Sequence, residues 1–170
     1  MKKVFGLMMF GLLLLAACQD NDQPASDFTG NEATYALLQG SQYDIDGTVT
    51  IKEKNDGSAF IVVALSGTEG DIQHPVHLHL GNIAEPGADV YASLTPVLGK
   101  TGISETHLTK LADESAITYK QLIELVACVK VHLAASGPDK DIVLAGGNIG
   151  KASTDDSSGG RLGFGVCKSE

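Results

Sequence analysis

The 170-residue chain has no tryptophan, a single arginine at Arg161, and three cysteines, Cys18, Cys128 and Cys167. Acidic residues outnumber basic ones 21 to 12, for a formal net charge of −9. That balance argues against nucleic acid and anionic lipid headgroups as partners, because both repel an acidic surface. No apolar run reaches the roughly 20 residues that a membrane-spanning helix needs; the longest, Val4 to Ala17, has fourteen. The glycine runs "GGNIG" (146–150) and "SGG" (158–160) precede no Lys-Ser or Lys-Thr pair, which excludes a phosphate-cradling loop. No G-x-S-x-G occurs and no cysteine stands beside an activating partner, so no nucleophile motif is present.

What is there begins at the N-terminus. Lys2 and Lys3 precede the short apolar run, and small residues close it, the pattern of a secretion signal over residues 1–17. "LAAC", Leu15 to Cys18, resembles a bacterial lipobox. The resemblance implies cleavage before Cys18, acylation of its thiol, and a lipid-anchored protein of the cell envelope, in the periplasm or at the outer surface. Cleavage leaves 153 residues and takes the net charge from −9 to −11 through loss of Lys2 and Lys3. Residues 18–31 are then the lipidated cysteine and a polar tether, and 32–170 form one domain with enough chain for a core. In an oxidising compartment Cys128 and Cys167 are expected to pair as a disulfide, the alternative being two buried thiols, since sequence does not give their separation.

Within the domain the apolar residues mostly alternate. "DIDGTVTIKEK" (44–54), the turn "NDG" (55–57) and "SAFIVVALSG" (58–67) predict a hairpin. "HPVHLHLG" places Val76, Leu78 and Leu80 on one face of a strand. "VYASLTPVL" (90–98) predicts another. "ITYKQLIEL" (117–125) changes period: Thr118 with Gln121 makes a capping box, and Leu122, Ile123 and Val126 share one side of a short helix near 118–126. "ACVKVHLAA" (127–135) alternates again, with Val129, Val131 and Leu133 inward and Cys128, Lys130 and His132 outward. Residues 136–160 read as a long connection interrupted at "DIVLAG", and "RLGFGV" (161–166) as a closing strand. Many short alternating strands predict an all-β Greek-key sandwich or barrel.

Three of the five histidines fall within "HPVHLHLGN". His77 and His79 are two apart on a strand, so both point away from the Val76 face and present two imidazoles to one ion. His132 has the same outward parity on a distant strand. If the two strands are neighbours, the three make a nitrogen site; otherwise they are ordinary surface histidines. Imidazole suits copper, zinc and nickel, and a planar-leaning nitrogen set favours Cu(II). His74 has the opposite parity behind Pro75, which leaves it a fourth ligand or a loop residue. His107, in "SETHLTK", reads as a solvated loop residue. Arg161 either orients a small anion beside the metal or simply begins a strand.

"DGTVTIKEKNDGSAFIVVALSGTEGDIQHPVHLHLGN" resembles the first half of copper/zinc superoxide dismutases, and "VKVHLAAS", "GGNIG" and "GGRLGFGV" resemble the last part of that family. The resemblance implies an eight-stranded Greek-key barrel with the metal on its outer wall. It also implies copper held by His77, His79 and His132, anion guidance by Arg161, and a redox centre acting on superoxide. Residues 81–127 depart from that pattern. They offer only His107, Asp89 and Asp113, so no zinc site and no bridging histidine are expected, and Phe164 stands where the family has its strand cysteine. A Cys128–Cys167 bridge would therefore be a different staple. Residues 44–150 also resemble the CHRD (chordin-type) domains of bacterial lipoproteins, which implies a non-enzymatic module for protein interaction or metal storage.

Overall fold

The structure, a computed structural model, describes residues 26–85 and 89–153. Eight strands run in chain order: β1 (Phe28–Gln39), β2 (Asp46–Lys54), β3 (Ala59–Ser66), β4 (Gln73–Leu80), β5 (Val90–Leu98), β6 (Ile103–Leu108), β7 (Val126–His132) and β8 (Val143–Gly150). One helix, α1 (Tyr119–Glu124), precedes β7. The strands close into an antiparallel barrel in the order β1-β2-β3-β6-β5-β4-β7-β8, with β8 returning to β1. β4, β5 and β6 form a meander, and β7 comes back to lie beside β4, which is a Greek key. The all-β barrel and its single short helix are those the alternating pattern predicts.

The inward faces supply the core. Val49, Ile51, Ile61, Val63, Val76, Leu78, Val129 and Val131 all fall at alternate positions and are essentially inaccessible to solvent. At the Asn55–Gly57 turn between β2 and β3, Gly57 takes the left-handed φ of +82° and Ser58 N–H donates to Asp56 Oδ1 at 2.9 Å, which together fix the hairpin turn. Helix α1 begins on the expected capping box: Gln121 N–H donates to Thr118 Oγ1, and the Gln121 side chain accepts from Thr118 N–H. Tyr119 and Leu122 from this helix are buried in the core. Val126, expected on the same helical side, instead starts β7 and is 50% exposed.

Several elements depart from expectation. β1 starts at Phe28, inside the stretch read as tether, and is stitched there by Asn55 N–H to Asp27 O and Asn55 Nδ2 to Ser26 O. Apolar Ala36 and Leu38 face outward and only Leu37 is fully buried, so apolar and polar residues do not alternate cleanly along its sequence. β6, "ISETHL", is a strand for the same unadvertised reason: Ser104 turns inward and donates to Thr95 O at 2.6 Å. Leu80 ends β4 exposed rather than on the core face. The largest correction is β8. "VLAGGNIG", read mainly as connection, is an entirely buried strand that closes the barrel. A Cβ at Gly147 would collide with the Ala36 carbonyl of β1, so glycine there lets the two strands meet where the wall closes. The expected closing strand at residues 161–166 lies outside the described residues, as do Cys18, Arg161 and Cys167. Cys128 is buried on β7; its expected pairing with Cys167 therefore falls outside them too.

Candidate metal centre

β4 and β7 are hydrogen-bonded neighbours, the condition on which the three-histidine site depends. Their antiparallel register sets His77 opposite Lys130 and His79 opposite Cys128. His132, two residues beyond Lys130, is thus diagonal to His77 on the same wall. The ring centroids lie 5.1 Å apart for His77 and His132, 6.0 Å for His77 and His79, and 6.5 Å for His79 and His132. One ligand atom from each histidine lies within 4.8 Å of the others. Irregularities in the pairing fall at these residues, between Leu78 and His79 against β5 and between Val131 and His132 against β8. Such irregularities re-aim side chains at functional walls.

Two loops complete the surroundings. His79 Nδ1 lies 3.2 Å from the Asp89 carbonyl, and His132 Nδ1 lies 3.0 Å from the Lys140 carbonyl. A carbonyl only accepts, so each Nδ1 carries the proton and each Nε2 keeps its lone pair, the tautomer a metal ligand needs. His132 is 4% exposed, and its Nε2 is buried with no hydrogen-bond partner. Burial pushes the His132 pKa down to about 4, with the neighbouring His77 adding to the fall and the Lys140 carbonyl opposing it. His77, half-buried, is also shifted below the ordinary imidazole range, by burial first and then by His79. At neutral pH His77 and His132 are therefore neutral nitrogen donors. The half-buried His77 edge is its most accessible side.

Outward parity does not mean solvent here. Cys128, Lys130 and Asn148 share this wall and are each 2% exposed or less. Ile83, from the loop after β4, donates its N–H to Asn148 Oδ1 at 2.8 Å and is itself fully buried. The loop over 133–142 packs its Lys140 carbonyl on His132. Sequence parity already aligned Lys130 with His132, so that residue was legible; the two carbonyls were not, since a main-chain oxygen leaves no trace in residue type.

The remaining histidines lie apart from the three. His74 is buried, with its Nδ1 donating to Leu133 O at 3.2 Å, and it is not among the residues whose ligand atoms converge. His107 is not in a loop: it stands on β6 opposite Phe60, and its Nε2 lies 2.7 Å from Ser58 Oγ. Ser58 Oγ also reaches Asp56 Oδ1 at 2.5 Å. The Ser58 hydroxyl donates its hydrogen to the Asp56 carboxylate, so His107 Nε2 donates to Ser58 Oγ. This clamp ties the β2–β3 turn to β6, and its proton order is the reverse of what an activated serine requires. Comparison of the chain with protein-family models, curated proteins and solved structures gives no match.

Proposed function

We propose that this chain is an exported, lipid-anchored envelope protein whose barrel binds one copper ion through His77, His79 and His132. The observation that carries the reading is the orphaned, buried Nε2 of His132, facing two further imidazoles whose ligand atoms lie within 4.8 Å. Burying a polar nitrogen without a partner costs about 1–3 kcal/mol, and a bound metal removes that cost. The donor set fits copper: three neutral imidazoles, two of them fixed by carbonyls behind them. The eight-stranded Greek-key barrel with histidines on its outer wall is also the architecture implied by the likeness to copper/zinc superoxide dismutases.

Copper bound here would supply one-electron chemistry, and in the dismutase-like version of this reading two superoxide ions and two protons become dioxygen and hydrogen peroxide. The chain's own residues would hold the ion on a rigid wall, present the half-buried His77 side to a small anion, and use Arg161 to attract it. A second reading, a CHRD-type module that stores metal or contacts protein without turnover, draws on His107. That residue is the only histidine in 81–127, and it is committed to Ser58. The Cys18 anchor and a Cys128–Cys167 bridge belong to the proposal in either version.

The test is metal analysis of protein purified from a copper-supplemented periplasm, followed by a superoxide decay assay. One copper per chain, lost in His77→Ala and His132→Ala, is the expected result. Accelerated superoxide decay selects the dismutase version, and copper without acceleration selects storage. Wild-type protein that takes up no copper sinks the metal reading.

A further inference from the structure

Lys130 stands directly across from His77 and two residues before His132, on the wall that carries all three imidazoles. Only 1% of it is exposed, and it heads the fully buried side chains by volume. On its other flank β8 offers Gly146, which has no side chain to crowd the long lysine stem. No carboxylate joins the histidine group among the described residues. An ion at this site would therefore meet three neutral donors with a lysine packed beside them.

We propose that Lys130 tunes the copper centre toward the cuprous state. A fixed ammonium beside the site acts against the second positive charge of Cu(II) more than against the single charge of Cu(I), and a buried wall screens that effect weakly. This inference rests on the three-histidine copper reading. It shifts the preference away from the Cu(II) that a planar-leaning nitrogen set by itself suggests, toward an ion held in its reduced form.

The experiment compares copper-loaded wild type with Lys130→Met and Lys130→Arg. Copper per chain, the midpoint potential, and competition against a chromophoric Cu(I) chelator are measured for each. In Lys130→Met the ratio of Cu(I) to Cu(II) affinity falls about tenfold, a drop of about 59 mV for a one-electron couple. Lys130→Arg keeps the charge and stays near the wild-type potential. If Lys130→Met does not fold, Lys130→Gln carries the same comparison. An unchanged potential in a neutral variant that still holds one copper per chain overturns the role of Lys130 and leaves the three-histidine site standing. Failure of the wild type to bind copper overturns both.

Discussion

An imidazole with one nitrogen tied to a carbonyl and the other buried without a partner is costly to keep, and His132 is such a residue. Its low pKa makes the cost measurable. The unfolded chain protonates this histidine near pH 6.5 while the folded chain resists until about pH 4, so the unfolded state binds more protons between those values. Stability of the metal-free protein is therefore complete above about pH 6.5 and falls as the pH drops toward 4, by about 3 kcal/mol from this group. Urea unfolding of metal-stripped protein at pH 7 and pH 4.5 checks this, with His132→Leu as the control. The variant is expected to lose less stability over that interval, and equal losses would remove the buried imidazole as the cause. At this scale the candidate ligands were legible, because residue type and parity carry the signal. The roles of Asp89 and Lys140 were hidden, because both act through main-chain oxygens.

Among the elements, β2, β3, β4, β5 and β7 announce themselves by alternation, and α1 by its change of period and its capping box. β1 and β6 do not, because apolar Leu38 and Ile103 face outward and each strand buries one apolar side chain, Leu37 and Leu108. β8 is concealed for a different reason. Glycine is depleted in strands, and "VLAGGNIG" is a strand because its neighbours demand glycine. Gly147 has β1 backbone where a Cβ would stand, and Gly150 takes φ +60° with the Leu125 carbonyl in the same position. Gly147→Val is expected to destabilise the barrel by about 2 kcal/mol or more, the scale of overpacking in a closed interior. Thermal or urea unfolding against wild type measures it. A variant as stable as wild type would mean that β1 and β8 separate at no cost. This element also decides the site, since β7 is held between β8 and β4.

For the whole molecule, the described chain begins at Ser26 and Asp27, bound to Asn55 at the β2–β3 turn. If Cys18 carries the lipid, the intervening residues span no more than about 30 Å even when extended. The proposed anchor therefore holds the turn end of the barrel close to the bilayer. Cys18→Ser is expected to move the protein from the membrane fraction to the soluble fraction while leaving copper per chain unchanged. Fractionation with metal analysis reads both. Persistence in the membrane fraction would remove the lipid anchor, and loss of copper would show that anchor and barrel are not independent.

By itself the sequence determined what is written in residue identity and spacing: an acidic chain, an all-β domain, one short helix, and three histidines of matching parity. Alternation and capping are local, so they can be read along a chain without knowing its path. Only the tertiary structure decided that β4 lies against β7, that β8 pairs with β1 to close the barrel, and that the outward wall is covered by loops. Strand neighbours, the closeness of backbones at Gly147, and the burial of Lys130 and His132 depend on parts of the chain far apart in sequence. No local pattern records them.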